Sequence, residues 1–185
     1  MKILFCLFLI IFFTNFMSIN IFIEENNYDY IFSLVSFVEK DQIQREKIKV
    51  FTGSNNIQNS IIRAYYKHQI DPKLICSVIS VESRFDSLAV SMVGAKGLMQ
   101  VMESTAYLMQ KQNLISENFD LFSVQDNIDI GTAVLKHELG KFSLRAALAA
   151  YNCGHYGGKM WATNRSLLPK ETQEYPLKVL SYYRM

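Results

Sequence analysis

The sequence predicts a mainly α-helical domain, and two patterns in the 185-residue chain carry that prediction. Apolar residues recur at the spacing of an amphipathic helix in several separate segments. Convincing alternation of apolar and polar residues, the sign of a half-buried strand, is scarce. A hairpin of a few residues leaves too little alternation to detect, so one small β-hairpin is compatible with this class.

Residues 1–25 have the pattern of a signal peptide or an N-terminal membrane anchor. Lys2 precedes the apolar run ILFCLFLIIFF, and no charge occurs from Ile3 through Ile23. That run could span a bilayer if it were retained. It contains polar residues and no clean small-x-small cleavage site, yet we favour a cleaved signal over an anchor. Both alternatives export the rest of the chain, to the periplasm or cell envelope.

Residues 26–54 form a poorly defined N-terminal extension. Its segment Glu39–Lys49 is charged and suits a solvated helix or a linker, and a turn cluster at residues 53–56 marks the boundary. The predicted domain therefore covers residues 55–185. Its partners do not include nucleic acid, because the net charge is only +2 and no basic stretch has interleaved aromatic residues.

Two helices begin the domain. The first has apolar positions from Ile57 to His68, and His68 is expected at the edge of the core rather than as a ligand. The second begins at Asp71, whose side chain can cap it, with Pro72 at its first position. Its apolar face is formed by Leu74, Ile75, Val78 and Ile79.

Glu82 continues this apolar face, three, four and seven residues after members of it. Burial disfavours the charged form of a carboxyl group and raises its pKa, so that the group keeps its proton near neutral pH. A general acid needs this property. A structural glutamate that caps the helix end or pairs with Arg84 would explain the same position.

The later helices are less sharply marked. A helix opens at Glu103, and the polar loop 111–123 is expected to carry Leu121 and Phe122 inward. Asp126 or Asn127 can cap the next helix, which Gly140 ends. Ser143 then caps an alanine-rich helix, 144–151, whose small side chains permit close packing.

Cysteine and histidine usage predicts neither a metal nor a cofactor. Cys76 and Cys153 are expected as two buried thiols, although an exported compartment would allow a disulfide. The three histidines are scattered, with no paired spacing such as HExxH.

Four motifs in order resemble the catalytic domain of a lytic transglycosylase of the soluble (SLT) type. They are ESRF at 82–85 with Ser91, GAKGLMQVM at 94–102 with Thr105, AAYNCG at 149–154 and LPKETQEYP at 168–176. The resemblance covers about residues 55–185. The sequence departs from the family pattern where it has Glu103 for proline, Cys153 for alanine and Pro176 for valine. The change at 103 frees a backbone N–H and could shift the loop beside the sugar site.

The resemblance implies a single compact lysozyme-like (α+β) domain with a glycan-binding groove. It also implies cleavage of the MurNAc–GlcNAc β-1,4 bond of peptidoglycan without water. Glu82 would protonate the glycosidic oxygen and then take the proton of the muramic acid 6-hydroxyl, which closes a 1,6-anhydro ring.

The resemblance further implies a set of substrate-binding residues. Ser91 would polarise the N-acetyl group or orient the sugar, and Tyr151 would reach the carboxylate or the ring. The groove would also include Gln100, Met102, Thr105, Asn152 and, as its second acidic residue, Glu171. Without the resemblance, Tyr151 would be interpreted as a core aromatic and Glu171 as part of the first turn of a terminal helix.

Two other functions stay open. One is a hydrolytic muramidase that uses the same Glu82. The other is a non-catalytic peptidoglycan-binding module of an envelope-spanning machine. The expected partners are peptidoglycan glycan strands, with secretion, conjugation or flagellar machinery as a further hypothesis. Contact with a membrane is expected only through the N-terminal segment.

Overall fold

The computed structural model describes residues 28–185, and these form seven α-helices with no strand among them. In chain order the helices are α1 Tyr28–Lys49, α2 Asn55–His68, α3 Pro72–Glu82, α4 Glu103–Lys111, α5 Val124–Leu139, α6 Leu144–Thr163 and α7 Lys170–Arg184. A 3-10 helix, Arg165–Leu167, precedes α7. The predicted mainly α class is confirmed. The sequence was also compatible with one small hairpin. The structure has isolated antiparallel bridges instead, which join Val90 to Lys96 and Lys96 to Val101.

The described part of the chain divides after Ile43 into two compact units, and the second of them is Gln44–Met185. The described part of the first is the beginning of α1, and the second contains all the elements that follow. Within the second unit Ile48 is fully buried, although it belongs to the predicted extension. The predicted signal or anchor, residues 1–25, lies outside the described residues. Between residues 28 and 185, no helix combines the length and the hydropathy needed to cross a membrane.

The core of the second unit forms around α3, which packs against α2 and α7. Helix α5 packs against α2, α4 and α6, and α6 packs against α7. Large, fully buried side chains come from α2, α3, α5, α6 and α7; among them are Ile61, Ile75, Ile79, Ile128, Leu135, Leu148 and Val179. Each such side chain contributes about 1.5–3 kcal/mol by leaving water, so α3 is firmly held.

The ends of the helices test the predicted caps. Asp71 caps α3 as predicted, because its side chain accepts a 2.9 Å hydrogen bond from the backbone N–H of Lys73. The predicted cap of α5 is wrong. That helix begins at Val124, and the hydroxyl of Ser123 accepts the bond from the backbone N–H of Asp126.

The loop before α5 also differs from its prediction. Leu121 is buried as expected, but Phe122 is 38% exposed. Its ring lies 6.0 Å from Nζ of Lys96. At an exposed site a cation near the face of an aromatic ring contributes about 0.5–1 kcal/mol.

Helix α6 is two helical segments joined by a sharp reversal. Cys153 and Gly154 have non-helical backbone angles, and the φ of Gly154 is +75°. The second segment packs back on the first: a Cβ atom added to Gly157 would lie 2.6 Å from the carbonyl oxygen of Ala149. Glycine is therefore required at 154 because the backbone is left-handed there, and at 157 because a side chain would not fit. This reversal brings Trp161 beside the start of α6.

Candidate active site

Glu82 ends α3 and lies in contact with the aromatic face of α7. Its Oε1 accepts a 2.6 Å hydrogen bond from the hydroxyl of Tyr175, which is itself only 3% exposed. Its Oε2 has no hydrogen-bond partner among the residues that the structure describes. The interpretation of Glu82 as paired with Arg84 has no support here, since no ion pair joins the two residues.

The surroundings raise the pKa of Glu82 from 4.5 to about 7. Burial is the largest cause, and the negative charge of Glu171 adds to it. The hydrogen bond from Tyr175 acts in the opposite direction, because it stabilises the ionised carboxylate. Burial also holds the pKa of the Tyr175 phenol well above 10, so this hydroxyl remains a donor. Glu82 is therefore protonated in a large fraction of molecules at neutral pH.

The chain leaves Glu82 through a turn in an unusual conformation. Arg84 and Phe85 both have left-handed backbone angles, with φ of +53° and +67°. Such angles cost about 1 kcal/mol or more for residues other than glycine and persist only where the surroundings impose them. Directly before this turn, the hydroxyl of Ser83 donates a 2.8 Å hydrogen bond to the carbonyl of Leu98. The end of α3 is thereby attached to the GLMQ segment, residues 97–100.

Asn127 of α5 holds the GLMQ segment from the other side. Its Oδ1 accepts a 2.8 Å bond from the backbone N–H of Met99, and its Nδ2 donates to the carbonyls of Lys96 at 2.9 Å and Leu121 at 2.8 Å. The residue is 1% exposed. The hydroxyl of Tyr151 donates a 2.8 Å bond to the carbonyl of the same Met99. Both backbone polar groups of Met99 are thus fixed by side chains from α5 and α6.

Tyr151 and Gln100 support the loop around Glu82 rather than reaching the carboxylate. Tyr151 lies close enough to Glu82 for the carboxylate to raise the pKa of its buried phenol, but its hydroxyl bonds to Met99. Tyr151 was expected to reach the carboxylate or the sugar ring, and of these two the bond to the carboxylate is made by Tyr175 instead. The side-chain amide of Gln100 donates to the carbonyls of Gly97 at 2.9 Å and Ala89 at 3.2 Å.

The remaining predicted site residues occupy three places. Ser91 closes the turn before the GLMQ segment, where its hydroxyl accepts a 3.0 Å bond from the backbone N–H of Ala95. Met102, 37% exposed, is the residue before α4, and Thr105 is half-buried in the first turn of that helix. Beside them Glu103, a departure from the family pattern, pairs with Lys96 at 3.2 Å.

Asn152 and Glu171 lie where α6 meets α7. Oδ1 of Asn152 accepts a 2.7 Å bond from the hydroxyl of Thr172, so this side chain joins the two helices. Glu171 is exposed in the first turn of α7, and its charge acts on Glu82. Cys76 and Cys153 are free thiols, but only Cys76 is buried; Cys153 is half-buried. Among the described residues, no group of three or more His, Cys, Asp or Glu side chains could hold a metal ion.

Sequence reasoning missed three residues of this arrangement. Tyr175 belongs to the LPKETQEYP motif, and with Thr172 and Val179 it forms the helical spacing of a buried face, which was a usable signal. Ser83 and Asn127 carried no such signal, because polar residues near helix ends are usually interpreted as caps.

The fold and the site define a class: a lysozyme-like α-helical domain in which a half-buried carboxyl of raised pKa lies beside a clamped loop. The family model of the transglycosylase SLT domain matches residues 59–173. The chain therefore belongs to the transglycosylase SLT domain family.

Individual relatives agree with this assignment. The transglycosylase of Enterobacteria phage PRD1 is 31% identical over 130 residues, which cover 70% of this chain and 43% of that protein. The membrane-bound lytic murein transglycosylase F of Desulfosudis oleivorans is 29% identical over 136 residues, covering 69% of this chain and 28% of that protein. The chain thus spans less than half the length of these relatives.

Solved structures share the fold. The 70 kDa soluble lytic transglycosylase of Escherichia coli has a TM-score of 0.64 and 27% identity, and the match covers 74% of this chain and 24% of that one. An inactive mutant of the lytic transglycosylase Slt from Pseudomonas aeruginosa, in which a glutamate is replaced by glutamine, matches with a TM-score of 0.63 over the same shares.

Proposed function

We propose that the domain is a peptidoglycan lytic transglycosylase that cleaves the MurNAc–GlcNAc β-1,4 bond and leaves a 1,6-anhydro-MurNAc end. The observation that carries this proposal is the pKa of about 7 at Glu82, in a carboxyl group with one oxygen held by Tyr175. Membership of the SLT domain family and the names of its relatives supply the substrate class.

In this mechanism Glu82 acts twice. Protonated Glu82 gives its proton to the glycosidic oxygen as the bond to the anomeric carbon breaks, and positive charge develops on the sugar ring. The ionised carboxylate then takes the proton of the muramic acid 6-hydroxyl, whose oxygen bonds to the anomeric carbon. A pKa near the ambient pH suits a group that must act first as acid and then as base. Ser91, Gln100, Met102, Thr105, Tyr151, Asn152 and Glu171 form or support the surrounding glycan groove.

A hydrolytic muramidase is the second candidate, and one observation favours it. Hydrolysis of a glycosidic bond ordinarily uses two carboxyl groups. The negative charge of Glu171 contributes to the raised pKa of Glu82, so a second carboxyl group acts on the first. Glu171 would then activate a water molecule, and the product would carry a reducing end. A third candidate, a peptidoglycan-binding module without turnover, would bind the glycan and release nothing.

Mass spectrometry of the products from purified peptidoglycan separates these candidates. We expect the full chain to release anhydro-muropeptides, each lighter by one water than the hydrolysis product, and the Glu82→Gln variant to release none. The Asp86→Asn variant, which changes an exposed carboxyl on the same turn, is the matched control and should retain activity. Reducing ends would establish the hydrolase, and glycan binding without any product would establish the binding module.

We place the domain in the periplasm or cell envelope, exported by its N-terminal segment, as the names of its membrane-bound relatives suggest. A secretion, conjugation or flagellar machine is the partner we propose for it there. Cell fractionation with protease protection tests the location. A pull-down from the envelope that recovers no component of such a machine would count against the partner.

A further inference from the structure

We propose that a second pocket, remote from Glu82, docks an acidic peptide segment of a partner protein, with an apolar side chain of that segment entering the pocket. The pocket has a volume of about 500 Å³ and lies between the start of α6, its second segment and the end of α7. This inference concerns a different surface and does not depend on the activity proposed above.

The pocket is at the opposite end of α3 from the candidate catalytic carboxyl. Tyr183, one of its lining residues, donates a 2.9 Å hydrogen bond to Oδ2 of Asp71, which caps the first turn of α3. Glu82 ends the same eleven-residue helix, so about 16 Å of helix separates the two places. The pocket and Glu82 therefore lie at opposite ends of α3.

The floor of the pocket is apolar and partly aromatic. It is formed by Leu144, Trp161, Leu180 and Tyr183. Trp161 reaches this place only because α6 reverses at Gly154, which carries the second segment back toward Leu144. Tryptophan and tyrosine rings that flank a concave surface are typical anchors for a partner's apolar side chain.

The rim of the pocket is basic. Arg145 and Arg184 line it, and both are exposed. Neither guanidinium forms an ion pair with any residue that the structure describes. Arg165 stacks on Trp161, with its guanidinium carbon 5.1 Å from the ring centroid, and adds a third positive charge.

The carboxyl group of Asp71 bonds to Tyr183, a lining residue, but it does not neutralise the positive charge of the rim. Both oxygens of Asp71 are engaged, one by the backbone N–H of Lys73 and the other by the hydroxyl of Tyr183. A guanidinium group that has no ion-pair partner can bind a carboxylate through two parallel hydrogen bonds. Acidic side chains are therefore complementary to this rim. An apolar floor with a basic rim thus fits glutamates or aspartates beside a leucine or an aromatic residue.

Trp161 makes this proposal directly measurable, because it is the only tryptophan in the sequence. The probe is a capped synthetic peptide in which a pair of leucines is flanked by glutamates. Titrated into the full chain, it should change the emission of Trp161 in a saturable way. The Arg145→Glu, Arg184→Glu double variant should weaken binding about tenfold or more. A peptide with glutamine in place of glutamate should bind as weakly.

The matched control is the Arg63→Glu, Lys111→Glu double variant, which reverses two exposed charges on α2 and α4 and should bind normally. Absence of any emission change up to millimolar peptide would overturn the proposal, and so would equal affinity in the two double variants. Two other results would also overturn it. One is an arginine-dependent emission change with vesicles of anionic phospholipid but not with the peptide; the other is arginine-dependent self-association without peptide binding.

Discussion

The hydroxyl of Tyr175 donates a 2.6 Å hydrogen bond to Oε1 of Glu82 across 93 residues of sequence. The donor lies on α7 and the acceptor on α3, so the bond forms only when these helices pack. It favours the ionised carboxylate, whereas burial favours the protonated acid, and burial is the larger effect at Glu82. The balance between the two sets a pKa of about 7.

Replacing Tyr175 by phenylalanine should raise the pKa of Glu82 further, because the bond that lowers it is lost. We expect the alkaline limb of the profile of kcat/KM against pH, which follows deprotonation of the general acid, to move to higher pH. We also expect kcat at neutral pH to fall about tenfold, because the carboxyl of Glu82 loses the hydrogen bond that positions it. Turnover of purified peptidoglycan between pH 5 and 9 measures both. The control is Tyr182→Phe, on the same helix but 38% exposed; equal profiles in the two variants would refute the coupling.

Glu82→Gln should stabilise the folded protein at high pH. Between pH 4.5 and about 7 the folded state binds the proton of Glu82 more tightly than the unfolded state, so the wild-type free energy of unfolding falls as pH rises through this window. The full difference that this shift implies is about 3 kcal/mol. The Glu82→Gln variant has no carboxyl group to ionise, so its free energy of unfolding does not fall in this way. Its amide oxygen still accepts the hydrogen bond from Tyr175.

Thermal unfolding at pH 4 and pH 8 measures this effect. We expect the two proteins to have similar Tm at pH 4, where the carboxyl is neutral in both states, and the variant to have the higher Tm at pH 8. The Asp86→Asn variant should show no such pH-dependent difference. A Tm gain that is equal at both pH values would contradict the assignment of the effect to ionisation of Glu82.

Gly94 and Gly97 form a matched pair that separates backbone strain from close packing. Both have positive φ, +86° and +72°. An added Cβ meets nothing within 4 Å at Gly94, whereas at Gly97 it would lie 2.4 Å from Nδ2 of Asn127 and 2.6 Å from the carbonyl oxygen of Leu121. We expect Gly94→Ala to cost about 1 kcal/mol, the usual penalty of a left-handed non-glycine residue. Gly97→Ala should cost about 3 kcal/mol or more.

Urea unfolding of both alanine variants gives these two free energies. Since the backbone penalty is common to both, their difference isolates the clash with the Asn127 clamp. Gly97→Ala should also lose peptidoglycan cleavage, because the loop that follows Glu82 is displaced. Equal costs at the two positions would mean that the loop relaxes around the added methyl group.

The sequence predicted α3, its cap and the place of Glu82 at the end of that helix well, because these are local features. Asp71, Pro72 and a regular apolar face lie within one short segment, and the position of Glu82 on that face follows from helical periodicity alone. The reversal at Gly154 was not predicted, since a glycine within an alanine-rich helix does not reveal that the chain turns back. The roles of Tyr175 and Asn127 depend on which helices meet, and no local pattern contains that information.

Asn127→Ala tests whether the clamp on Met99 is needed for the site. The substitution removes three hydrogen bonds at once and leaves the N–H of Met99 and the carbonyl of Leu121 without partners, whereas the carbonyl of Lys96 keeps its bond from the N–H of Val101. We expect a loss of about 3 kcal/mol in the free energy of unfolding. We also expect kcat/KM to fall while the protein is still folded, because Met99 then shifts relative to Tyr151 and Glu82.

The exposed Asn118→Ala variant is the control for this prediction. Thermal unfolding measures the loss of stability, and peptidoglycan turnover at a temperature well below Tm measures kcat/KM. Full turnover in a folded but destabilised Asn127→Ala protein would limit the clamp to a role in stability.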